Sequence, residues 1–180
     1  MNQYPPTNQQ GVILPSDRGF SAWTYDPTIS GANGSPASGQ FVASLFRWPG
    51  GLMTNMFAAC SVNAFNATAG QNLAGIYSES GLLIAQTGDL SALLMAGCTN
   101  AYPLTAPTYL APGRYYAGMV QNATTLTAAL GRISANITID IIGTNGLNSL
   151  RGGSISGLTA LPANLSALTN GGLIYWFGFS

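Results

Sequence analysis

Apolar and polar positions alternate most regularly in residues 132–142, which read RISANITIDII. One set of alternate positions is wholly apolar, and it comprises Ile133, Ala135, Ile137, Ile139 and Ile141. The intervening positions carry hydroxyl, amide and carboxylate groups. Because successive side chains of a strand point to opposite faces of a sheet, the pattern predicts an antiparallel strand with one buried face.

Shorter strand-like segments recur along the chain and are separated by turn residues. They lie at 41–48, 53–65, 72–78, 82–88, 114–120 and 171–180, and a short edge strand is predicted within 19–27. Between two of them, Ser-Glu-Ser-Gly predicts a tight hairpin connection in which Gly81 takes a positive φ. Seven or eight short strands with turn chemistry between them predict an all-β fold, an antiparallel β-sandwich that is jelly-roll-like.

The composition divides the chain into three parts. Residues 1–18 are rich in proline and amide side chains and are predicted to form an extended N-terminal arm. Residues 19–142 form the predicted sandwich, and residues 143–180 form a long loop followed by a C-terminal strand. Helix signals are weak, and 90–97 and 161–172 each have room for a turn or two.

Apolar residues recur about every third position in the long loop. They are Leu147, Leu150, Ile155, Leu158, Leu161, Leu165 and Leu168. Loops of this length are uncommon in compact domains and are often functional or part of an interface. Full coverage of each side chain stabilises the fold by about 1.5–3 kcal/mol. We favour an interlocking arm that buries these residues on a neighbouring subunit; the alternative is a loop folded back over its own sandwich.

Charge is scarce: only five arginines and five carboxylates occur in 180 residues, and there is no lysine or histidine. A net charge of zero provides no basic patch for a phosphate backbone, so the sequence predicts no nucleic-acid partner. A near-neutral surface favours a chain packed against neighbours. No apolar run is long enough for a membrane span, and the first residues lack the features of a signal peptide.

The side chains that most enzymes use are missing or scattered. Without histidine there is no Ser–His–Asp or Cys–His site, and without lysine there is no Schiff base or phosphate-binding P-loop. The carboxylates lie on different predicted elements, at Asp17, Asp26, Glu79, Asp89 and Asp140. No motif brings two of them together as a glycosidase pair or several together as a Ca²⁺ site. We therefore predict no catalytic residue, no cofactor and no metal.

Two cysteines, Cys60 and Cys98, could form one disulfide. For a protein made in a reducing cytosol, two buried or idle thiols are the favoured interpretation.

Aromatic side chains are the remaining candidates for recognition. Residues of this type in strands are more often core or interface anchors than ligand platforms. The alternative is a surface that receives sugar rings, with Trp23, Trp48, Tyr115 and Tyr116 as the candidate glycan-facing residues.

The segment NLAGIYSESGLLIAQTGDLS, followed by PLTAPTYLAPGRYYAGMVQNAT, carries a family resemblance. Its order of Gly-Ile-Tyr-Ser, Thr-Gly-Asp, Pro-Leu-Thr-Ala-Pro and Pro-Gly-Arg-Tyr-Tyr resembles β-sandwich domains in virion proteins of tailed bacteriophages. The likeness is greatest to minor tail and capsid-decoration proteins of phages that infect actinobacteria, and it covers about residues 19–142.

The resemblance implies a structural role on the virion exterior for a protein made in the host cytoplasm, with no catalytic residues to transfer. The implied partners are copies of the chain itself, as a homo-oligomer and by analogy a homotrimer, and other capsid or tail proteins. The alternative is a receptor-binding tail-tip module whose partner is a host cell-surface glycan. A hydrolase of cell-wall glycan is a third hypothesis.

Overall fold

A computed structural model describes residues 13–29, 31–62, 65–97, 101–134, 151–170 and 172–180. Its helical elements are two 3₁₀ turns, Pro15–Arg18 and Pro27–Ile29, and the short helix α1, Ser91–Ala96. The strands of this part of the chain are β1 (Ala22–Trp23), β2 (Ala32–Gly34), β3 (Gln40–Trp48), β4 (Gly51–Ala58), β5 (Cys60–Val62), β6 (Phe65–Ala67), β7 (Leu73–Ser78), β8 (Leu83–Gln86), β9 (Tyr102–Leu110), β10 (Gly113–Gln121), β11 (Ala123–Leu126), β12 (Ala129–Ser134), β13 (Gly152–Ile155), β14 (Thr169–Asn170), β15 (Leu173–Tyr175) and β16 (Phe177–Phe179).

Two antiparallel sheets form the body of the protein. A four-stranded sheet has the order β1-β16-β4-β9, and a six-stranded sheet has the order β14-β13-β3-β10-β7-β8. Two smaller groups complete the described part, β11 with β6, and β12 with β15, β2 and β5. This arrangement confirms the predicted all-β, antiparallel sandwich-like fold. The jelly-roll connectivity stays a prediction.

The main core lies between the two sheets. The four-stranded sheet contributes Met53, Met56, Tyr102, Phe177 and Phe179, and the six-stranded sheet contributes Val42, Phe46, Trp48, Ile76 and Met119. Rings from the two sheets meet directly, since Phe46 stacks on Phe179 with centroids 4.0 Å apart. Burial of these large side chains is the dominant favourable term that holds the sheets together.

A second core covers the opposite face of the six-stranded sheet. Its buried members are Phe41, Ala43, Tyr77, Tyr116, Val120, Leu165 and Leu168. Neighbouring residues of one strand enter different cores: in β10, Tyr116 lies in this second core while Ala117 lies in the first. The central strands β3, β10 and β7 are therefore buried on both faces over most of their length, and these stretches read as nearly continuous apolar runs.

The long loop supplies the cover for this second face. Leu165 is 1% exposed and Leu168 is also buried, while Ile155, Leu158 and Leu161 pack half-buried against the same cluster. These leucines are covered by the chain's own sheet, so the preferred interlocking-arm interpretation is corrected in favour of a loop folded back over its own sandwich. The physical reason is that the outer sheet face is itself apolar. Leu147 and Leu150 lie outside the described residues.

A side-chain amide binds the backbone of the loop at Leu158. The Asn122 amide Nδ2 donates to the carbonyl oxygens of Leu158 (3.0 Å) and Gln71 (3.1 Å). The Asn122 backbone N–H in turn donates to the side-chain oxygen of Asn72, which is also buried. Because a buried amide is costly when unpaired, this network fixes the loop in one position.

Several local predictions are confirmed. The edge strand is β1, and β7 and β8 form the predicted hairpin, in which Gly81 has a φ of 88°. The weak helix signal at 90–97 corresponds to α1, whereas the described residues of 161–172 contain no helix. The predicted strand 132–142 coincides with the end of β12, and its residues from 135 onward lie outside the described part.

The interpretation of the cysteines as free thiols is wrong for Cys60, which is disulfide-bonded. The only other cysteine in the sequence is Cys98, which lies outside the described residues. Cys60 is half-buried beside the main core, where its Sγ lies 4.0 Å from the Tyr102 hydroxyl.

A substitution in the loop tests whether its cover is intramolecular. We expect Leu165→Ala to lower the free energy of unfolding by about 2–5 kcal/mol, because it leaves a cavity in the second core. Leu82→Ala, at an exposed leucine, is the matched control and should change stability little. Urea unfolding followed by circular dichroism at several protein concentrations measures both. A loss at Leu165 that vanishes on dilution would show that a neighbouring molecule provides the cover.

Buried tyrosines predict a loss of stability at high pH. Burial raises the pKa of Tyr102 and of Tyr116 to about 12 and also raises the pKa of Tyr77. Since the unfolded tyrosine titrates near 10, the stabilisation is complete below pH 10 and is lost as pH rises toward 12.

Urea unfolding between pH 8 and pH 12 measures this effect. We expect Tyr102→Phe to reduce the loss of unfolding free energy between pH 8 and pH 12 by about 1–3 kcal/mol. Tyr109→Phe, at an exposed hydroxyl, should leave the profile unchanged. Equal profiles for all three proteins would refute the assignment.

Candidate binding surface

Aromatic side chains line the outer face of the four-stranded sheet. Trp23 of β1, Gly178 of β16 and Phe57 of β4 are consecutive partners across three neighbouring strands. A Cβ atom on Gly178 would lie only 2.8 Å from the Trp176 ring and 3.0 Å from the Phe20 ring. Glycine at this position therefore lets these two rings approach the strand closely.

Four of these side chains form a group that we call the aromatic cluster: Phe20, Trp23, Phe57 and Trp176. Ring centroids lie 5.1 Å apart for Phe20 and Phe57, and 5.5 Å apart for Phe20 and Trp176, both in edge-to-face geometry. Trp23 is tilted at 6.4 Å from Phe20. Pairs of this geometry contribute about 0.5–1.5 kcal/mol beyond the burial of their area. Phe20 is therefore the centre of the cluster.

Backbone hydrogen bonds hold the Phe20–Trp23 segment at the sheet edge. Ser21 N–H donates to the Phe179 carbonyl (2.8 Å) and Thr24 N–H donates to the Phe177 carbonyl (2.9 Å). The buried Thr24 hydroxyl donates to the Tyr175 carbonyl (2.9 Å) and accepts from the Phe177 N–H (3.0 Å). The segment is thus fixed on rigid strands, which positions its side chains for recognition.

Two clefts flank this segment. The first, which we call the proline cleft, has a volume of about 460 Å³ and is lined by Pro15, Ser21, Ala22, Trp23, Arg47, Trp48, Pro49 and Pro112. The second, which we call the Trp176 cleft, has a volume of about 410 Å³ and is lined by Arg18, Phe20, Pro27, Thr28, Ala59 and Trp176. Each cleft combines apolar walls with one arginine, a composition typical of ligand sites.

Each cleft is lined by one charged side chain, an arginine, and by one hydroxyl side chain, Ser21 or Thr28. Trp48 and Trp176 are 1% and 5% exposed, and their indole nitrogens are buried without a hydrogen-bond partner among the described residues. An unpaired buried donor costs about 1–3 kcal/mol. Arg18 and Arg47 are exposed, and no carboxylate of the described chain lies within ion-pair distance of either. Because these exposed arginines can only donate hydrogen bonds, a ligand suited to the clefts carries acceptors on an apolar body.

The predicted glycan-facing residues have different environments. Trp23 is half-buried in the aromatic cluster, and Tyr115 is half-buried beside Phe46, with its hydroxyl donating to the Ala111 carbonyl at 2.9 Å. Trp48 and Tyr116 are buried, so neither can act as an exposed sugar platform. This corrects the prediction for those two residues, and the reason is that both faces of the six-stranded sheet are covered.

That set of glycan-facing residues omitted three members of the aromatic cluster, Phe20, Phe57 and Trp176. A signal for them was present in Trp176-Phe177-Gly178-Phe179. A glycine inside an aromatic strand leaves a gap that large rings from neighbouring positions cover.

The described carboxylates are engaged in local contacts. Asp17 accepts from the Leu14 N–H (2.9 Å), Asp26 accepts from the Thr28 N–H (2.9 Å), and Glu79 pairs with Arg114 at 3.3 Å. Burial alone would raise the pKa of Asp89, but hydrogen bonds from Gly70, Ser91 and Asn72 outweigh it, so the pKa is lowered. Among the described residues, no three groups of the metal-ligating type come together. Asp140 lies outside this part of the chain.

No protein-family model matches the chain, and no curated protein matches it. None of the helices in the described ranges has the length and apolar character needed to cross a membrane.

Proposed function

We propose that this protein is a structural subunit of a tailed-phage virion that acts by self-association and by docking on the particle exterior. It serves there as a capsid-decoration or minor tail protein, is made in the host cytoplasm, and performs no catalysis. Its working form is a homo-oligomer, and a trimer is the form most common in virion folds of this type.

The observation that carries the self-association is an exposed apolar pair on an almost uncharged molecule. Leu52 is 56% exposed and Tyr109 is 75% exposed, and the two are direct partners across β4 and β9. Their strand neighbours Met53 and Leu110 point into the main core, so the pair projects from the outer face of the four-stranded sheet. The aromatic cluster lies on the same face. Apolar surface of this kind supports contact with another protein.

The contacts made by the described carboxylates support a non-catalytic role. Three of the described carboxylates accept hydrogen bonds in turns or at the start of α1, and the fourth, Glu79, forms an ion pair with Arg114. In a chain without histidine or lysine, the carboxyl groups are the main candidates for a catalytic acid or base, and neither cleft is lined by one.

The location on a virion is supported by the resemblance of residues 19–142 to phage β-sandwich domains. An all-β body with a nearly neutral surface suits a subunit that is held among many neighbours. Capsid and tail sites differ in copy number, and counting therefore distinguishes them.

Two measurements test the proposal. Quantitative mass spectrometry of purified particles should find the protein at a high, symmetry-related copy number, and detection only in the lysate of infected cells would refute the virion role. In solution, light scattering should show an oligomer. The double substitution Leu52→Ser and Tyr109→Ser should raise its dissociation constant at least tenfold. Leu126→Ser, at an exposed leucine of β11, is the control and should leave the oligomer intact.

A receptor-binding tail-tip module is the second candidate, and the Trp176 cleft favours it. The half-buried Phe20 ring provides an aromatic wall beside the exposed Arg18, a combination that can hold a sugar ring and its hydroxyl groups, while the buried Trp176 supports Phe20 from beneath at 5.5 Å. We expect a host surface glycan to bind, and Arg18→Gln to weaken binding at least tenfold on a glycan array. Arg151→Gln, at an exposed arginine that does not line this cleft, should have no effect. Equal binding by both variants would exclude the Trp176 cleft as the site.

A further inference from the structure

We propose that Arg47, Arg114 and Arg151, which we call the arginine row, bind an acidic segment of a different protein. This inference rests on the proposed docking to the particle exterior and names the chemistry of the partner there. It assigns a role to three of the five arginines of the chain.

Two arginines of the row lie side by side on the outer face of the six-stranded sheet. Arg47 and Arg114 are direct partners across β3 and β10. The next pair on the same face is Leu45 and Tyr116, and Tyr116 is buried in the second core while Leu45 packs against it. Because alternate residues of a strand share a face, the two arginines lie on the side that carries the second core, one row further along.

Arg151 lies next to this pair, on the neighbouring strand. It directly precedes β13, and its carbonyl oxygen accepts from the Leu45 N–H at 2.8 Å. Arg151 is therefore opposite Leu45 and diagonal to Arg47, and residues in this relation are about 7–8 Å apart in a sheet. Leu45 is half-buried, whereas all three arginines are exposed. The cover provided by the loop therefore ends before the arginine row.

The positive charges of the row exceed the negative charges around it. Arg114 Nε lies 3.3 Å from Glu79 Oε1, and this is the one ion pair of the described residues. Within the same part of the chain, neither Arg47 nor Arg151 has a carboxylate at ion-pair distance. Like charges directly opposite each other destabilise a sheet, so Arg47 lies beside a like charge without a compensating acid. A carboxylate bound there relieves this repulsion.

The chemistry of the row matches a pair of carboxylates. A guanidinium group can bind a carboxylate through two parallel hydrogen bonds. Direct partners in an antiparallel sheet have Cβ atoms about 4.5–5.5 Å apart, so Arg47 and Arg114 can engage acidic side chains of one segment. Three arginines and Glu79 leave two positive charges, which two carboxylates neutralise. Arginine is also enriched at protein interfaces.

A second copy of this chain does not supply such a segment. Its five carboxylates are scattered, and the two closest in sequence, Asp17 and Asp26, are nine residues apart. Both of these already accept hydrogen bonds from local backbone N–H groups. The partner is therefore a different protein, which in the proposed role belongs to the particle. Self-association through Leu52 and Tyr109 uses the opposite side of the sandwich, so the two contacts do not compete.

Peptide binding by the full chain tests the contact. The probe is a fluorescent peptide of six glutamates, and the matched peptide has six glutamines. We expect the glutamate peptide alone to bind at low ionic strength, and Arg47→Gln with Arg151→Gln to weaken its binding at least tenfold in fluorescence anisotropy. Arg18→Gln, at an exposed arginine beside the aromatic cluster, should leave binding unchanged.

Three results of this measurement would overturn the inference. They are no binding of the glutamate peptide, equal binding by the Arg18 variant and the double variant, and tighter binding of a DNA oligonucleotide of the same charge. The last result would identify the row as a site for polyanions, which Glu79 is expected to repel.

A further variant covers the case in which the double substitution disturbs the fold. Glu79→Gln removes the carboxylate that already pairs with Arg114. Because the peptide then has no competing acid at the row, we expect it to bind at least threefold more tightly. Unchanged or weaker binding by this variant would contradict the inference.

Particles separate this inference from the proposed function. With Arg47→Gln and Arg151→Gln, we expect the copy number on purified particles to fall at least tenfold, while light scattering shows the same oligomer as for the unmodified protein. An unchanged copy number would refute the inference and leave the proposed function intact. Absence of the unmodified protein from particles would refute the proposed function, and peptide binding would then decide the inference by itself.

Discussion

The six-stranded sheet is packed on both faces, and most other features of the molecule follow from this constraint. Along β10, Tyr116 and Val120 face the loop while Ala117 and Met119 face the other sheet. The central stretch of such a strand has no solvent face, and the arginines of β10 and β3, Arg114 and Arg47, lie near the strand ends and are exposed. The loop covers the face that is polar and exposed in many sandwiches, so this face carries apolar residues as well. The small number of charged residues in the chain, ten in all, agrees with this arrangement.

Close packing on the loop side depends on small residues in the sheet. A Cβ atom on Gly118 would lie 2.2 Å from the Phe41 ring, and one on Gly75 would lie 2.9 Å from Leu161. A Cβ atom on Gly153 would lie 2.8 Å from the Leu168 side chain. These glycines weaken the strands locally, but they let large rings and leucines approach the backbone, and the burial gained there offsets the loss of strand propensity.

Local periodicity was sufficient to predict the class of fold, but not the parts that depend on what covers each face. The hairpin with Gly81 and the edge position of β1 follow from turn chemistry and alternation. Strand β9 was missed because Pro103 and Pro107 argue against a strand; both are tolerated since β9 is the edge of its sheet. The buried positions of Trp48 and Tyr116 could not be predicted, because alternation indicates two faces without showing that the second is covered.

The edges of the two sheets also bear on how copies of the protein can meet. The four-stranded sheet ends in the two-residue β1 and the proline-containing β9, and the six-stranded sheet ends in the two-residue β14 and the four-residue β8. Short or proline-bearing edges resist pairing with strands of another molecule. The self-association proposed above would therefore use side chains, and the outer face of the four-stranded sheet offers the aromatic cluster together with the exposed Leu52 and Tyr109.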